Sequence, residues 1–275
     1  MSKGSRSFRD VLYENPGPKT KRAVNIITAI SLVLIAILIG LAIRLFYINH
    51  QLDARYWSFF LKATTWQFLG KGLMGTFEGA LLAGIMAYIM GFVIMLGRIS
   101  SNKIISLVST AIIEFTRGVP TLLFIYFFFL IAPGLGIKLS SLMKISLPVA
   151  ISASGVVAEV LRSGINAVPN GQREAGISLG MRQWQVFILV IFPQGFRYVI
   201  PALVSEIVIV VKDTTYAYVV SYPDMMQNAR VLISNYDAML SMYLVVAVIY
   251  ILINYLVNLL ARKIEKRMKK GIVQH

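Results

Sequence analysis

The residues with the capacity for chemistry are charges placed where the chain is otherwise apolar. Glu78, Glu114, Glu159, Glu206 and Asp213 are the acids, and Arg117 and Lys212 the bases. Lys212-Asp213-Thr214-Thr215 interrupts an apolar run, and consecutive polar groups there are costly to leave unpaired. That favours a polar path through the protein over a purely structural role. Lys212 and Asp213 either neutralise each other or reach separate partners, and the two hydroxyls are candidates to line the path. Glu206, two turns earlier on roughly the same helix face as Asp213, either binds an ammonium group or stays buried and protonated. Glu114 and Arg117 are three apart and form a same-face pair at the helix break Gly118-Val119-Pro120, or else Arg117 contacts a solute directly. Glu159 and Arg162 have the same spacing and read as an anchoring pair. Glu78 is expected near an interface, hydrated. Asn254 and Asn258, four apart, serve either hydrogen bonds between helices or a subunit contact.

None of this is bond-making chemistry. The 275-residue chain has no cysteine and two histidines, His50 and His275. Thiol, zinc and histidine catalysis are thereby excluded. No Gly-x-x-x-x-Gly-Lys-Ser/Thr loop is present to bind a nucleotide.

The elements that must position these groups are membrane helices. Hydrophobic residues make up 57% of the chain and charged ones 14%, against about 25% charged in soluble domains. The apolar residues form runs near the roughly 20 residues needed to cross a bilayer. Six are expected, at Val24–Ile48, Leu73–Leu96, Ile104–Ile131, Leu147–Leu161, Tyr198–Val220 and Met239–Leu260. Lys and Arg gather before Val24, around Arg98 and Lys103, over 162–197 and after Leu260, so both termini are expected on the cytoplasmic side. This distribution makes the net charge of +15 a topological signal, with anionic lipid rather than nucleic acid as its partner. The polar start, Met1–Arg22, and the length of the next apolar run predict a retained helix, not a cleaved leader. Residues 49–71, rich in aromatics, are expected as an outer loop with an interfacial helix.

Residues 162–197 form a long, patterned segment. Pro169 and Gly171 predict a turn, Glu174 a helix start, and Gly176 and Gly180 a shared helix face open to another backbone. Ala175, Leu179, Val186 and Val190 predict an apolar stripe, and Pro193 the start of the next membrane helix. From periodicity alone, an amphipathic helix lying on the membrane fits equally well.

The residues Glu174, Ala175, Gly176, Gly180, Val190, Phe192 and Pro193 resemble the EAA loop of ABC-importer permeases. Gly176, Val190 and Phe192 depart from it within small or apolar types. Gly72-x-x-x-Thr76, Glu114-x-x-Arg117-Gly118-x-Pro120, Glu159-x-x-Arg162 and Lys212-Asp213-Thr214-Thr215 resemble blocks of the polar amino acid branch. The extra first helix after Pro16-Gly17-Pro18 resembles the longer permease subunit of glutamate uptake systems. The resemblance implies an all-α type I permease: a five-helix core over 72–267 with coupling helices near 170–192, an added helix within 1–71, and a tail at 268–275. It implies that Arg173, Glu174, Ala175, Gly176, Gly180 and Met181 couple to ATPase. The partners implied are two ATPase subunits, a second, non-identical permease and an extracytoplasmic binding protein. ATP and Mg would be bound by the ATPases, with no cofactor in this chain. Glutamate is the expected solute, with glutamine, aspartate or a basic amino acid as alternatives within the class. A stand-alone transporter or channel would explain the buried charges equally well but leaves the segment at 162–197 unexplained.

Overall fold

The structure, a computed structural model, describes residues 17–272. Lys3, Arg6, Arg9 and the last three residues lie outside the described residues. Every regular element described is helical. By internal contacts the chain divides into Met1–Trp57 and Ser58–His275. The first unit holds α1, Pro18–Ile48, whose 31 residues would extend about 46 Å at 1.5 Å per residue. Its first residue is a proline, whose fixed φ suits a helix start and whose missing N–H is an unpaired position there in any case.

The second unit begins with a 3-10 turn, Ser58–Leu61, and α2, Ala63–Arg98. Helix α2 starts ten residues before the hydrophobic run at Leu73, because hydropathy registers only the apolar part of a longer helix. The expected interfacial helix between 49 and 71 is replaced by short 3-10 turns at Ala54–Tyr56 and Ser58–Leu61. Phe59 is buried and stacks on Tyr236 with centroids 4.5 Å apart. There follow α3 (Lys103–Gly118), α4 (Thr121–Leu130), α5 (Ser141–Asn166), α6 (Asn170–Ser178), α7 (Gln183–Val186), α8 (Phe192–Asp213), α9 (Met225–Tyr236) and α10 (Met239–Ile272). Five of the described helices are long and apolar enough to span a membrane, and the pair α3–α4 makes a sixth if its two parts are one span. That span is not straight. Its parts meet at 98°, since Pro120 has no N–H to continue α3 and pushes Val119 to extended backbone.

Helix α5 is the central element, packed against α2, α3, α4 and α8. Its contact with α2 relies on small residues: Gly79, Ala83, Ala87 and Gly91 recur every four positions and are buried. A β-carbon on Gly91 would sit 2.7 Å from Val157. In lipid, such close approach supplies the dispersion that water-driven burial supplies elsewhere. Where α5 crosses α8, Gly164 and Gly195 lie backbone to backbone. Helices α7 and α8 are joined through a π-helical turn at Phe187–Ile191, just before Pro193 at the second position of α8. The wider turn accommodates a residue that cannot donate. The last helix continues beyond Leu260 to Ile272.

Candidate functional site

The break between α3 and α4 carries Thr121, the first residue of α4, to the far end of α8. Thr121 Oγ1 donates to Asp213 Oδ2 at 2.8 Å and lies 2.9 Å from Ser152 Oγ on α5. With the threonine proton committed to the carboxylate, Ser152 is the donor to Thr121, giving a chain Ser152→Thr121→Asp213 across three helices. Asp213 closes α8, where a negative charge opposes the helix dipole. The N-terminus of α4 beside it offsets that cost. Neither Thr121 nor Ser152 was evident in the sequence, because nothing local marks a partner 92 positions away.

The other polar residues follow the sequence expectation only in part. Lys212 does not pair with Asp213; among the described residues the ion pairs are His50–Asp53 and Glu159–Arg162. Successive residues on a helix point about 100° apart, and Lys212 is exposed while Asp213 turns toward Thr121. Thr214 and Thr215 donate back to Val211 O (2.8 Å) and Lys212 O (2.7 Å), tightening the 3-10 turn Thr214–Val220. Their protons are therefore spent on backbone, and Thr214 is buried. Glu206 is 4% exposed with no cation within ion-pair distance among the described residues. Glu114 and Arg117 do not pair. The Arg117 side chain packs on Gly155 of α5, whose β-carbon would meet its Cγ at 3.2 Å. Arg162 donates to Glu159 from Nε at 3.0 Å and Nη2 at 2.5 Å, a two-point contact that fixes both side chains. Asn258 donates to Asn254 O of its own helix at 2.9 Å, not across to another.

The patterned segment is a helical hairpin. Helix α6 starts at Asn170, directly after Pro169, and not at Glu174. It ends in a Schellman motif: Met181 N donates to Gly176 O (3.1 Å) and Gly180 N to Ile177 O (2.9 Å). Gly180 has φ +78°, the left-handed conformation this motif requires and glycine adopts freely. Gly180 is thus a helix terminator, not a member of a shared face with Gly176. The face of Gly176 is filled from within the chain: a β-carbon there would lie 2.8 Å from Val186 Cγ2. Val186 is buried and joins the apolar cluster of Met95, Val157, Leu161 and Ile165. The expected stripe therefore splits, with Leu179 82% exposed. Gln194 Nε2 ties α8 to Gln172 Oε1 of α6 at 3.1 Å. What the hairpin presents outward is Arg173, Glu174, Ala175, Ile177, Leu179 and Trp184, with Met181 half-buried behind them. Ile177, Leu179 and Trp184 are large apolar side chains beside charges, the composition of a protein-docking surface.

Residues 80–270 match the family described as the binding-protein-dependent transport system inner membrane component. The chain belongs to that family. This permease is 34% identical over 227 residues to the glutamate transport system permease protein GluD of Corynebacterium glutamicum, covering 81% of this chain and 83% of that one. It is 29% identical to the probable glutamine ABC transporter permease protein GlnP of Bacillus subtilis, over 73% of this chain and 93% of the relative. A crystal structure of an amino acid ABC transporter superposes with a TM-score of 0.71 at 30% identity, over 76% of this chain and 98% of that one. The methionine transporter MetNI shares the fold at 15% identity, with a TM-score of 0.64. The permease is a multi-pass inner-membrane transport subunit, not an enzyme; ATP hydrolysis resides in separate subunits.

At the end of the permease opposite the hairpin, the segment before α9 is clasped to α2. Gly72 and Gly75 leave no space above them: β-carbons would meet Asp224 O at 2.7 Å and the Pro223 carbonyl. Met225 N donates to Thr76 Oγ1 (3.1 Å), Asn228 Nδ2 to Phe68 O (2.7 Å) and Tyr222 OH to Gly75 O (3.2 Å). The Gly72-x-x-x-Thr76 spacing thereby acquires a physical reason: one residue gives room and the other accepts. Asp224 caps α9 through Gln227 N at 2.8 Å and is fully buried. Burial pushes its carboxyl up to about 6, against the opposing hydrogen bonds of Gln227 and Met226 N–H. Its Oδ2 is buried beside the Tyr250 hydroxyl. Nothing in the local sequence marks Asp224, which is buried against Gly72 of α2 and Tyr250 of α10.

Proposed function

We propose that this permease, with a second permease subunit, forms the translocation path of an ATP-driven amino acid importer that carries glutamate. The hairpin α6–α7 lies on the cytoplasmic side, as the Lys and Arg distribution favours, and docks on the ATPase subunits, which bind ATP and Mg. The end with α9 then faces the extracytoplasmic binding protein. The path includes the break at Pro120, with Arg117, Asp213 and the Lys212–Thr215 segment, and buried Glu206 beside it. Closure of the ATPases pushes on the hairpin, and Val186, packed with Val157, Leu161 and Ile165, passes that displacement to α5. Rigid-body rocking of the packed helices alternates access.

One observation carries this reading. The hairpin is locked internally by Gly176–Val186 and by the Gly180 turn, yet displays Ile177, Leu179 and Trp184 to its surroundings. A rigid knob with an apolar face is what transmits force between subunits. The glutamate permease of C. glutamicum supports glutamate as the solute. The test is ATP hydrolysis by the assembled complex in lipid, with binding protein loaded in turn with glutamate, glutamine, aspartate or arginine. Stimulation by the glutamate form, abolished by Glu174→Arg without loss of assembly, supports the reading. Stimulation by glutamine alone would reassign the solute, and stimulation untouched by Glu174→Arg would remove the coupling role.

A further inference from the structure

The end of the bundle that holds α9 carries a polar notch which the transport path does not use. It is a recess of about 240 Å³ lined by Tyr218, Ser221, Gln227, Arg230, Val231 and Ser234. Gln227, Arg230, Val231 and Ser234 recur at three- and four-residue spacing, so they share one face of α9. The opposite wall, Tyr218 and Ser221, belongs to the 3-10 turn Thr214–Val220 and its cap. The Arg230 guanidinium lies 4.9 Å from the Tyr218 ring centroid. Among the described residues no carboxylate lies within ion-pair distance of it. Arg230 is exposed, so its five donors are available to a ligand that approaches from outside.

The surrounding exposed charge is mainly positive. On the same end, within the unit beginning at Ser58, Lys62, Lys71, Lys138 and Arg230 are exposed and Lys144 is half-buried. The exposed acids there are Glu78 and Asp237, while Asp224 is buried. A mainly positive face with an exposed guanidinium lining a notch complements an acidic protein surface that offers one protruding carboxylate. Family membership makes transport dependent on a binding protein, and the notch lies at the end of the permease that faces it.

We propose that the Arg230 notch is the seat for an acidic side chain of the extracytoplasmic binding protein, and that docking there bears directly on the transport path. The mechanical part rests on the reading of Lys212–Thr215 as part of that path. The notch bridges two elements. Helix α9 is held rigidly on α2 by Asn228→Phe68 O and Met225 N→Thr76 Oγ1. The 3-10 wall runs without interruption into Thr214 and Asp213. A carboxylate drawn onto Arg230 pulls the guanidinium from Tyr218 and frees that wall to move against the fixed helix. Docking is thereby reported to the Thr121–Asp213 contact about two turns away.

The chain has no cysteine, so Ser234→Cys places a unique thiol at the notch rim. In the assembled complex in nanodiscs, its rate of modification by a membrane-impermeant maleimide is followed on this chain, with and without glutamate-loaded binding protein. The expected result is labelling that slows about tenfold at saturating binding protein. Adding Arg230→Glu to the same chain should abolish protection and raise the binding-protein concentration for half-maximal ATPase stimulation by roughly tenfold. Arg230→Lys, which keeps the charge but not the fork, should fall between. Labelling unchanged by binding protein, while hydrolysis is still stimulated, would overturn the notch and leave the importer reading standing. Slow labelling before binding protein is added would also overturn it, since the partner permease or lipid would then cover the site. A complex whose hydrolysis no loaded binding protein raises would overturn the importer reading and the notch with it.

Discussion

Replacing Thr121 by valine removes one hydroxyl and almost no volume, so its effect isolates the hydrogen bond to Asp213. In the native arrangement the hydroxyl donates to Asp213 Oδ2 at 2.8 Å and has Ser152 Oγ at 2.9 Å. The first contact is a bond to a carboxylate in a water-poor setting, worth about 1.5–3 kcal/mol. Its loss also leaves Ser152 without that acceptor, which its hydroxyl can recover by rotating onto backbone, so this second cost is small. Asp213 lies at the C-terminus of α8 with Lys212 turned away, and no other hydrogen bond from a side chain reaches it among the described residues. The carboxylate would therefore swing or take up a proton. If its position matters to the transport cycle, a loss of about 2 kcal/mol lowers uptake about thirtyfold at 1.4 kcal/mol per decade. The assay is initial uptake of labelled glutamate by proteoliposomes holding the complex, normalised to complex content. Thr121→Ser should retain most activity. Thr121→Val combined with Asp213→Asn should lose much less than the sum of the two single changes, because the pair acts as one unit. Equal activity in the valine and serine variants, or strictly additive losses, would refute the reasoning.

Further outcomes follow from the same packing. Gly176→Ala forces a β-carbon to 2.8 Å from Val186 and should strain the hairpin by about 1–3 kcal/mol; trypsin should then cut faster at the exposed Arg173 and Arg182, with part of the native resistance restored by adding Val186→Ala. Unchanged digestion of Gly176→Ala would count against the internal lock. For Asp224, burial raises the carboxyl from 3.8 to about 6, so the folded state holds its proton more tightly than the unfolded chain. The stabilisation is complete below about pH 4 and is lost as pH rises through about 6, a change of up to about 3 kcal/mol. Asp224→Asn keeps an acceptor for the α9 cap and removes this titration. The thermal midpoint of the wild-type complex should therefore fall relative to the variant between pH 4.5 and 7.5, and parallel profiles would be the contrary result.

Much of the architecture is legible in the sequence because it follows from local composition. Runs such as Met239–Leu260 are apolar enough that only a membrane helix accommodates them, and Pro120 announces a break wherever it falls. The pattern at Pro169–Gly180 marks a special segment before its shape is known. What stays hidden is set by distant partners. The first ten residues of α2, 63–72, are too mixed in type to give a hydropathy signal, although Thr65 and Leu69 among them are buried. Pro120 marks that α3 breaks, but the 98° between the two parts has no local signature. Gly180 reads from the sequence as sharing a helix face with Gly176, and the Met181–Gly176 bond shows it to be a helix stop. Among the candidate site residues, Asp213 is visible as a charge in an apolar run, whereas Thr121 and Ser152 look like ordinary hydroxyls. Met225 N and Thr76 Oγ1 meet through a hydrogen bond spanning 149 positions, beyond any periodicity.

The most direct test of the account is uptake of labelled glutamate into proteoliposomes containing both permease subunits and the ATPases. ATP and the binding protein are each supplied or withheld, and ion gradients are imposed or dissipated. The account predicts accumulation only when ATP and loaded binding protein are both present, whatever the ion gradients. Accumulation driven by an ion gradient without ATP would contradict it and make this chain a transporter that works alone.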